Sequence, residues 1–188
     1  MRKYLLLIIV GLSFSFSSNE EFPNFEGTTY KGKEFSNKDF LGKKTFVLMG
    51  HIECPPMLKL MVDLDSLQQV IDTSKFQIIG ILENTTDHLD QFFSNDTASI
   101  YVTLKNKFKI DTLRYPLIAE CETEKTKTKN GILLIKNHCR KLAKKVHTKS
   151  SPTYFLVDEN GVILKRHDGY IMYGTAQQRM DFLNDFIE

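Results

Sequence analysis

The chain has 188 residues, of which 41% are hydrophobic and 26% are charged. This length and composition fit one globular domain with enough core to fold alone, and they exclude a fibrous or low-complexity chain. The formal net charge of +2 gives no case for nucleic acid or an anionic membrane surface as a partner. Lysine and arginine are dispersed except between Lys125 and Lys149, a stretch that we interpret mainly as solvated surface.

The first 18 residues have the pattern of a secretory signal peptide. Residues 1–3 are basic at their second and third positions, residues 4–12 are apolar, and residues 13–18 mix serine with phenylalanine. The apolar run is shorter than the ~20 residues that a membrane-spanning helix needs. We therefore predict a signal peptide at 1–18, a single domain at 19–188, and export to the periplasm or cell envelope. An uncleaved membrane anchor is the alternative.

Hydrophobic periodicity in the first half of the chain predicts alternating strands and helices. A capped helical turn is expected at Ser36–Gly42, since Ser36 can accept a backbone hydrogen bond and glycine ends short helices. The other elements predicted here are an extended lead-in at 22–35, a buried strand at 45–49, a helix from 55 to about 72, a buried strand at 76–82 and a helix at 87–94.

The second half of the chain predicts a strand–turn–strand unit and a closing helix. The unit spans 153–164, with its turn at Asn160-Gly161, a strong hairpin signal. The other elements predicted here are a strand at 99–104, an extended segment at 114–119, a loop at 125–130, a helix at 132–145 and a helix at 177–187. This order predicts an α/β fold with a mixed central sheet flanked by helices.

A cysteine stands where the first buried strand ends and the following helix begins. Backbone N–H groups and the helix dipole favour an anion at such a position, and the anion that a cysteine can supply is its thiolate. Pro55 and Pro56 follow Cys54 and suit the first helical turn, where a missing N–H costs nothing. Cys54 is therefore the candidate nucleophile; the alternative is an inert, buried cysteine.

The segment Glu53-Cys54-Pro55-Pro56-Met57 resembles the active-site segment of the thioredoxin-like superfamily. The resemblance is to secreted bacterial thiol–disulphide oxidoreductases and to redoxins of the alkyl hydroperoxide reductase–thiol-specific antioxidant type. It implies a thioredoxin-like fold, Cys54 as the nucleophile, and Pro55 and Pro56 in contact with substrate. Met57 stands where these oxidoreductases carry a second, resolving cysteine, and Glu53 stands where they carry tryptophan, so the two-cysteine motif is broken.

A second segment, Ser151-Pro152-Thr153 followed by an apolar strand and D-x-N-G, also resembles these proteins. There the proline is cis and faces the active-site cysteine. The resemblance implies a cis Pro152, with Ser151 and Pro152 binding an extended substrate. The alternative is a trans proline that starts an edge strand.

Three cysteines are an odd number for an exported protein, so at least one thiol is unpaired or pairs between molecules. Cys121 and Cys139 could form a disulphide with each other or remain free thiols, and the sequence does not choose. Either one is also a candidate distant resolving thiol for Cys54, as in some peroxiredoxin-like relatives.

Two neighbours of Cys54 are candidates for tuning its reactivity. The Glu53 carboxylate disfavours an adjacent thiolate, whereas His51 would offset that effect if its ring turned toward the sulphur. His51 and Cys54 have tolerable spacing for zinc or copper, but the other histidines form no ligand pattern with them. We predict no metal and no cofactor.

These features lead to three hypotheses about function. The preferred one is monothiol disulphide exchange through Cys54, with protein or small-molecule thiols and disulphides as partners. The second is a non-catalytic module that binds extended peptides. The third is a peroxiredoxin-like peroxidase, ranked lower because peroxidatic sites of that family carry Thr or Ser three residues before the cysteine, where this chain has His51.

Overall fold

The computed structural model describes residues 20–96, 98–139, 141–170 and 173–188. The predicted signal peptide at 1–18 lies outside these residues. Every helix within them is too short or too polar to span a bilayer. The strands are β1 (Glu26–Thr29), β2 (Glu34–Ser36), β3 (Lys44–Gly50), β4 (Phe76–Thr85), β5 (Leu117–Lys127), β6 (Leu133–His138), β7 (Thr153–Val157) and β8 (Ile163–Asp168).

The strands form a mixed sheet in the order β2-β1-β5-β4-β3-β7-β8, and β6 pairs with β5 alone. Strands β3, β4 and β5 are parallel, so their carboxyl ends meet at one edge of the sheet. The neighbours β7 and β1 run antiparallel to them. The expected α/β fold with a mixed sheet flanked by helices is confirmed.

Helices cover the sheet unequally. The helices are α1 (Pro55–Gln68), α2 (Thr86–Phe93), α3 (Ile100–Phe108), α4 (Lys141–Lys145) and α5 (Ala176–Ile187). The larger core cluster packs α1 and α5 on one face of the sheet, through residues such as Leu64 and Leu183. The other face buries a phenylalanine cluster from the N-terminal region together with Leu142 of α4. The predicted turn after Ser36 is present, with Ser36 as its N-cap.

The strand predicted at 99–104 is wrong, because residues 100–104 belong to helix α3 and Ser99 is its N-cap. The Ser99 hydroxyl accepts a hydrogen bond from the Tyr101 backbone N–H and so starts the helix. Val102 and Lys105, three residues apart, are the buried positions. The β-branched residues of this segment favoured a strand, but the side chains that reach the core have helical spacing.

The helix predicted at 132–145 is also wrong. Residues Leu133–His138 form strand β6, which pairs with β5 in an antiparallel hairpin, and a helix begins only at Lys141. The hairpin turns at Asn130-Gly131, where Gly131 has a φ of +76°. Strand β5 also runs to Lys127, into the segment predicted as a loop. The aliphatic residues of this segment form backbone hydrogen bonds with β5 and stay exposed, whereas the predicted helix would have buried one face.

Candidate active site

Cys54 lies at the carboxyl edge of the sheet, between β3 and α1. Strand β3 is buried from Thr45 onward, so the chain leaves the core at Gly50 and turns through three residues to reach Cys54. Cys54 is the N-cap of α1, with an extended backbone (φ −91°, ψ 113°), and Pro55 and Pro56 open the helix. The sulphur is therefore at the positive end of the helix dipole, which favours negative charge, whereas Pro55 and Pro56 have no N–H to offer it.

The Cys54 thiol touches the start of β7. Its Sγ donates to the Ser151 carbonyl oxygen at 3.2 Å, and the Ser151–Pro152 peptide bond is cis. The Ser151 hydroxyl accepts from the His51 backbone N–H at 3.3 Å. A Cβ on Gly50 would collide with the Ser151 side chain, so glycine is required for this close approach. The structure thus brings together Cys54, Ser151 and Pro152, three predicted site residues, across 97 positions of sequence.

Glu53, the residue before Cys54, is the centre of a polar network. Its two carboxylate oxygens accept hydrogen bonds from the Asn84 side-chain amide at 3.1 and 3.2 Å. It also contacts the Tyr101 side chain, and one oxygen lies 3.3 Å from His51 Nδ1. The buried Asn84 oxygen accepts from the Ile52 backbone N–H at 3.0 Å, so β4 holds the loop that carries Cys54.

These contacts keep the Glu53 carboxylate ionised. Burial pushes the pKa of Glu53 upward, but the hydrogen bonds from Asn84, the backbone and Tyr101, with the charge of His51, outweigh it and lower the pKa. Burial and the neighbouring Glu53 raise the pKa of Tyr101. The condition under which His51 would offset Glu53, a ring turned toward the sulphur, is not met in this geometry, because the ring pairs with Glu53.

Met57 is fully buried in the larger core cluster. It occupies the first turn of α1, in the segment Cys54-Pro55-Pro56-Met57. A thioether cannot attack a disulphide, so this side chain contributes packing and no redox chemistry to the site.

Cys121 and Cys139 are bonded to each other, and Cys54 is the free cysteine. Cys121 lies opposite Thr85 in the β4–β5 ladder, and the bond closes the base of the β5–β6 hairpin. Of the two alternatives left open by the sequence, the structure has the disulphide. Either sulphur could resolve an adduct on Cys54 only by first giving up this bond.

Asn84 and Tyr101 are site residues that the sequence analysis missed. Asn84 follows the apolar run of β4, and polar residues at the ends of adjacent parallel strands lie at one edge of the sheet. That signal was available. Tyr101 was not predicted to lie at the site, because residues 99–104 were predicted to form a strand. Among the described residues, no group of three or more His, Cys, Asp or Glu side chains could hold a metal ion.

A family model for AhpC/TSA proteins matches residues 18–166, which is most of the chain. The chain belongs to the AhpC/TSA family. This AhpC/TSA protein has Cys54, the Glu53 network and the cis Pro152 all inside the matched region. No curated protein matches its sequence.

Solved structures resemble this AhpC/TSA protein at low identity. A thiol:disulfide interchange protein of the thioredoxin family from Chlorobium tepidum has a TM-score of 0.56 at 18% identity, over 89% of this chain and 96% of that one. A thiol-disulfide oxidoreductase from Bacteroides fragilis has a TM-score of 0.53 at 18% identity, over 88% and 98%. An exposed lipoprotein thioredoxin from Streptococcus pneumoniae has a TM-score of 0.52 at 16% identity, over 87% and 99%. The thioredoxin-like fold is thereby confirmed.

Proposed function

We propose that this AhpC/TSA protein exchanges disulphides through Cys54 as a single redox-active thiol. The observation that carries the proposal is the position of this free, half-buried thiol, at a helix N-terminus and 3.2 Å from the backbone of a cis proline segment. Family membership and the thiol–disulphide activities named for the similar structures support the same class of substrate.

The exchange takes two steps, each of which breaks and forms one S–S bond. The Cys54 thiolate attacks one sulphur of a substrate disulphide, and the other substrate sulphur leaves as a thiolate that takes up a proton. The resulting mixed disulphide is then attacked by an outside thiol, which restores Cys54. Because Met57 has no thiol, the second step depends on a protein or small-molecule thiol from solution.

The segment Ser151-Pro152 is proposed to position the substrate. Ionised Cys54 no longer has a proton to donate, so the Ser151 carbonyl loses its contact with the thiol and can accept a hydrogen bond from an extended peptide. Pro55 and Pro56 would line the other side of the sulphur. Export to the cell envelope is part of the proposal and rests on the pattern of residues 1–18.

The test is to trap the adduct on Cys54. Full-length protein is mixed with a peptide joined to a fluorophore by a disulphide, first without and then with glutathione. We expect a peptide–Cys54 mixed disulphide to accumulate and to disappear when glutathione is added. Met57→Cys should shorten the lifetime of the adduct by about tenfold or more, because the second thiol is then intramolecular. Met61→Cys, one helical turn further along α1, is the matched control and should leave the lifetime unchanged.

Other outcomes would favour the other functions. Full exchange activity in Cys54→Ser would overturn the proposal. Peptide capture that survives Cys54→Ala, without release of a thiol, would favour a binding module. A peroxidase is the second candidate because the chain belongs to the AhpC/TSA family. In protein whose Cys121–Cys139 bond has first been reduced, linkage of Cys54 to Cys121 or Cys139 after mild peroxide would favour it, because a sulphenic acid on Cys54 condenses with a free thiol and loses water.

A further inference from the structure

The β5–β6 hairpin projects beyond the sheet. Side chains of β5 are buried up to Ala119 and again at Cys121, but those from Glu122 to Lys127 are exposed or half-exposed. In β6 the side chains from Leu133 to Asn137 are exposed. Both faces of this two-stranded ribbon therefore meet solvent, and the fold uses neither face as core.

The outer part of the ribbon, residues 125–135, combines aliphatic and basic side chains. We call it the hairpin tip. It contains three lysines and no aspartate or glutamate. Its four large aliphatic side chains are half or more exposed: Ile132 60%, Leu133 51%, Leu134 54% and Ile135 61%. A run of four such residues in water is unusual, because exposed apolar side chains are normally scattered singly.

Cross-strand register places charge and apolar surface side by side. Lys125 lies opposite Ile135, and Lys127 lies opposite Leu133, so these four side chains share one face. Leu134 is directed to the other face, because successive side chains of a strand alternate. Each face of the hairpin tip thus carries aliphatic surface, and the first face also carries two of the lysines.

Acidic groups are confined to the base of the hairpin, where basic side chains meet them. Glu122 is 3.2 Å from Lys141, and Glu124 is 2.9 Å from His138. The Cys121–Cys139 disulphide closes the same base. The side chains of the hairpin tip itself therefore carry only positive charge.

We propose that the hairpin tip docks on an anionic lipid surface. Lysines attract anionic headgroups, and apolar side chains gain free energy when they leave water for the acyl boundary. Aliphatic side chains on both faces require a medium that surrounds the ribbon, whereas a protein groove would cover one face. A second copy of the chain is disfavoured because it would bring two sets of lysines together. The hairpin would hold the Cys54 edge of the protein near a membrane.

The chain has no tryptophan, which permits a direct test. Leu134→Trp places one fluorophore at the hairpin tip. Leu164→Trp places one at a similarly exposed position on β8, the outermost strand on the other side of the sheet from β5. The full chain is titrated with vesicles of phosphatidylcholine, with or without one quarter phosphatidylglycerol. We expect a blue shift of the Leu134→Trp emission with the anionic vesicles alone. The Leu164→Trp emission should not move, even if another segment binds lipid.

A charge-matched pair of triple variants separates the hairpin lysines from net charge. Changing Lys125, Lys127 and Lys129 to Gln in the Leu134→Trp chain should raise the lipid concentration at half-shift by about 100-fold at low salt. The control changes the exposed Lys31, Lys33 and Lys75, which lie near the amino ends of the parallel strands, away from the hairpin. This control should leave the lipid concentration at half-shift nearly unchanged.

Three results would overturn the proposal. They are an unshifted Leu134→Trp emission on anionic vesicles, an equal shift in the two single-tryptophan chains, and a blue shift without lipid that grows with protein concentration. The last would assign the hairpin tip to self-association. None of them bears on Cys54 chemistry, which is measured separately with the peptide disulphide.

Discussion

Glu53 is the residue that most distinguishes this site from a simple activated cysteine. Its carboxylate is ionised in the residue before Cys54, and the proposed exchange requires a second negative charge on the Cys54 sulphur. The network of Asn84, Tyr101 and His51 holds that carboxylate in place. The same network ties the loop before Cys54 to β4, so Glu53 contributes to the stability of the site as well as to its charge.

Replacement of this carboxylate should change how stability depends on pH. Since the folded-state pKa of Glu53 is lowered from 4.5, the stabilisation from its ionised form is present above that value and is lost as pH falls through the folded pKa. We expect wild type to lose more stability than Glu53→Gln below pH 4.5. Urea unfolding at pH values between 6 and 3.5 measures this difference. In the control, Glu34→Gln at an exposed position, the free energy of unfolding should fall below pH 4.5 as it does in the wild type.

At the scale of elements, a buried ion pair joins α1 to α5. Asp63 of α1 is 5% exposed and Arg179 of α5 is 9% exposed, and Arg179 Nε donates to Asp63 Oδ2 at 2.9 Å. The Tyr170 hydroxyl donates to the same oxygen at 2.8 Å, and Lys59 Nζ donates to the other at 3.0 Å. The helix that positions Cys54 is thus fixed to the last helix by polar contacts as well as by the core.

We expect the loss of one member of this ion pair to lower the free energy of unfolding far more than the loss of both members. Arg179→Met leaves the Asp63 carboxylate buried without its guanidinium and should lower the free energy of unfolding by about 3 kcal/mol, the low end for a broken buried pair, because Lys59 and Tyr170 still bind Asp63. The double variant Asp63→Leu/Arg179→Met should recover much of that loss, because the one charge that it leaves without a partner, Lys59, is 25% exposed and can be solvated. Equilibrium unfolding in urea tests both. A double variant as unstable as the single one would show that packing, and not charge, sets the cost.

At the scale of the whole molecule, the Cys121–Cys139 disulphide connects the sheet to the hairpin and α4. It closes a loop with a sequence separation of 18 and has no sulphur in common with Cys54. Helix α4 follows directly and contributes Leu142 and Ala143 to the second core cluster. Loss of the bond therefore affects the hairpin and that core face together.

The double variant Cys121→Ala/Cys139→Ala should be less stable by about 3 kcal/mol, the amount expected for a loop of this length. Reduction of the wild type with dithiothreitol should cause a similar loss, and the same treatment should leave the double variant unchanged. Denaturant unfolding with and without the reductant supplies the comparison. Cys54 should still form its mixed disulphide with peptide in the double variant; failure to do so would link the disulphide to the active site.

Local patterns predicted those elements in which the spacing of apolar residues along the sequence matches the face that is buried. The apolar run of β3, the proline-opened start of α1 and the Asn-Gly turn at 160–161 each carry enough short-range signal to specify a strand, a helix start or a hairpin. Cys54 could be placed at the strand–helix junction for the same reason. The same kind of turn, Asn130-Gly131, stands before β6, but a helix through the following residues would also place Leu133, Cys139 and Leu142 on one side, so the local pattern is compatible with both elements.

Tertiary contacts decided everything that depends on a distant partner. Residues 133–138 are a strand because β5 supplies their hydrogen bonds and Cys121 binds Cys139, a pairing that no local pattern contains. Glu53 and Asn84 are 31 residues apart in sequence, and their contact follows from the parallel register of β3 and β4. Periodicity records which side chains are buried, whereas strand pairing depends on segments that meet only in the folded chain.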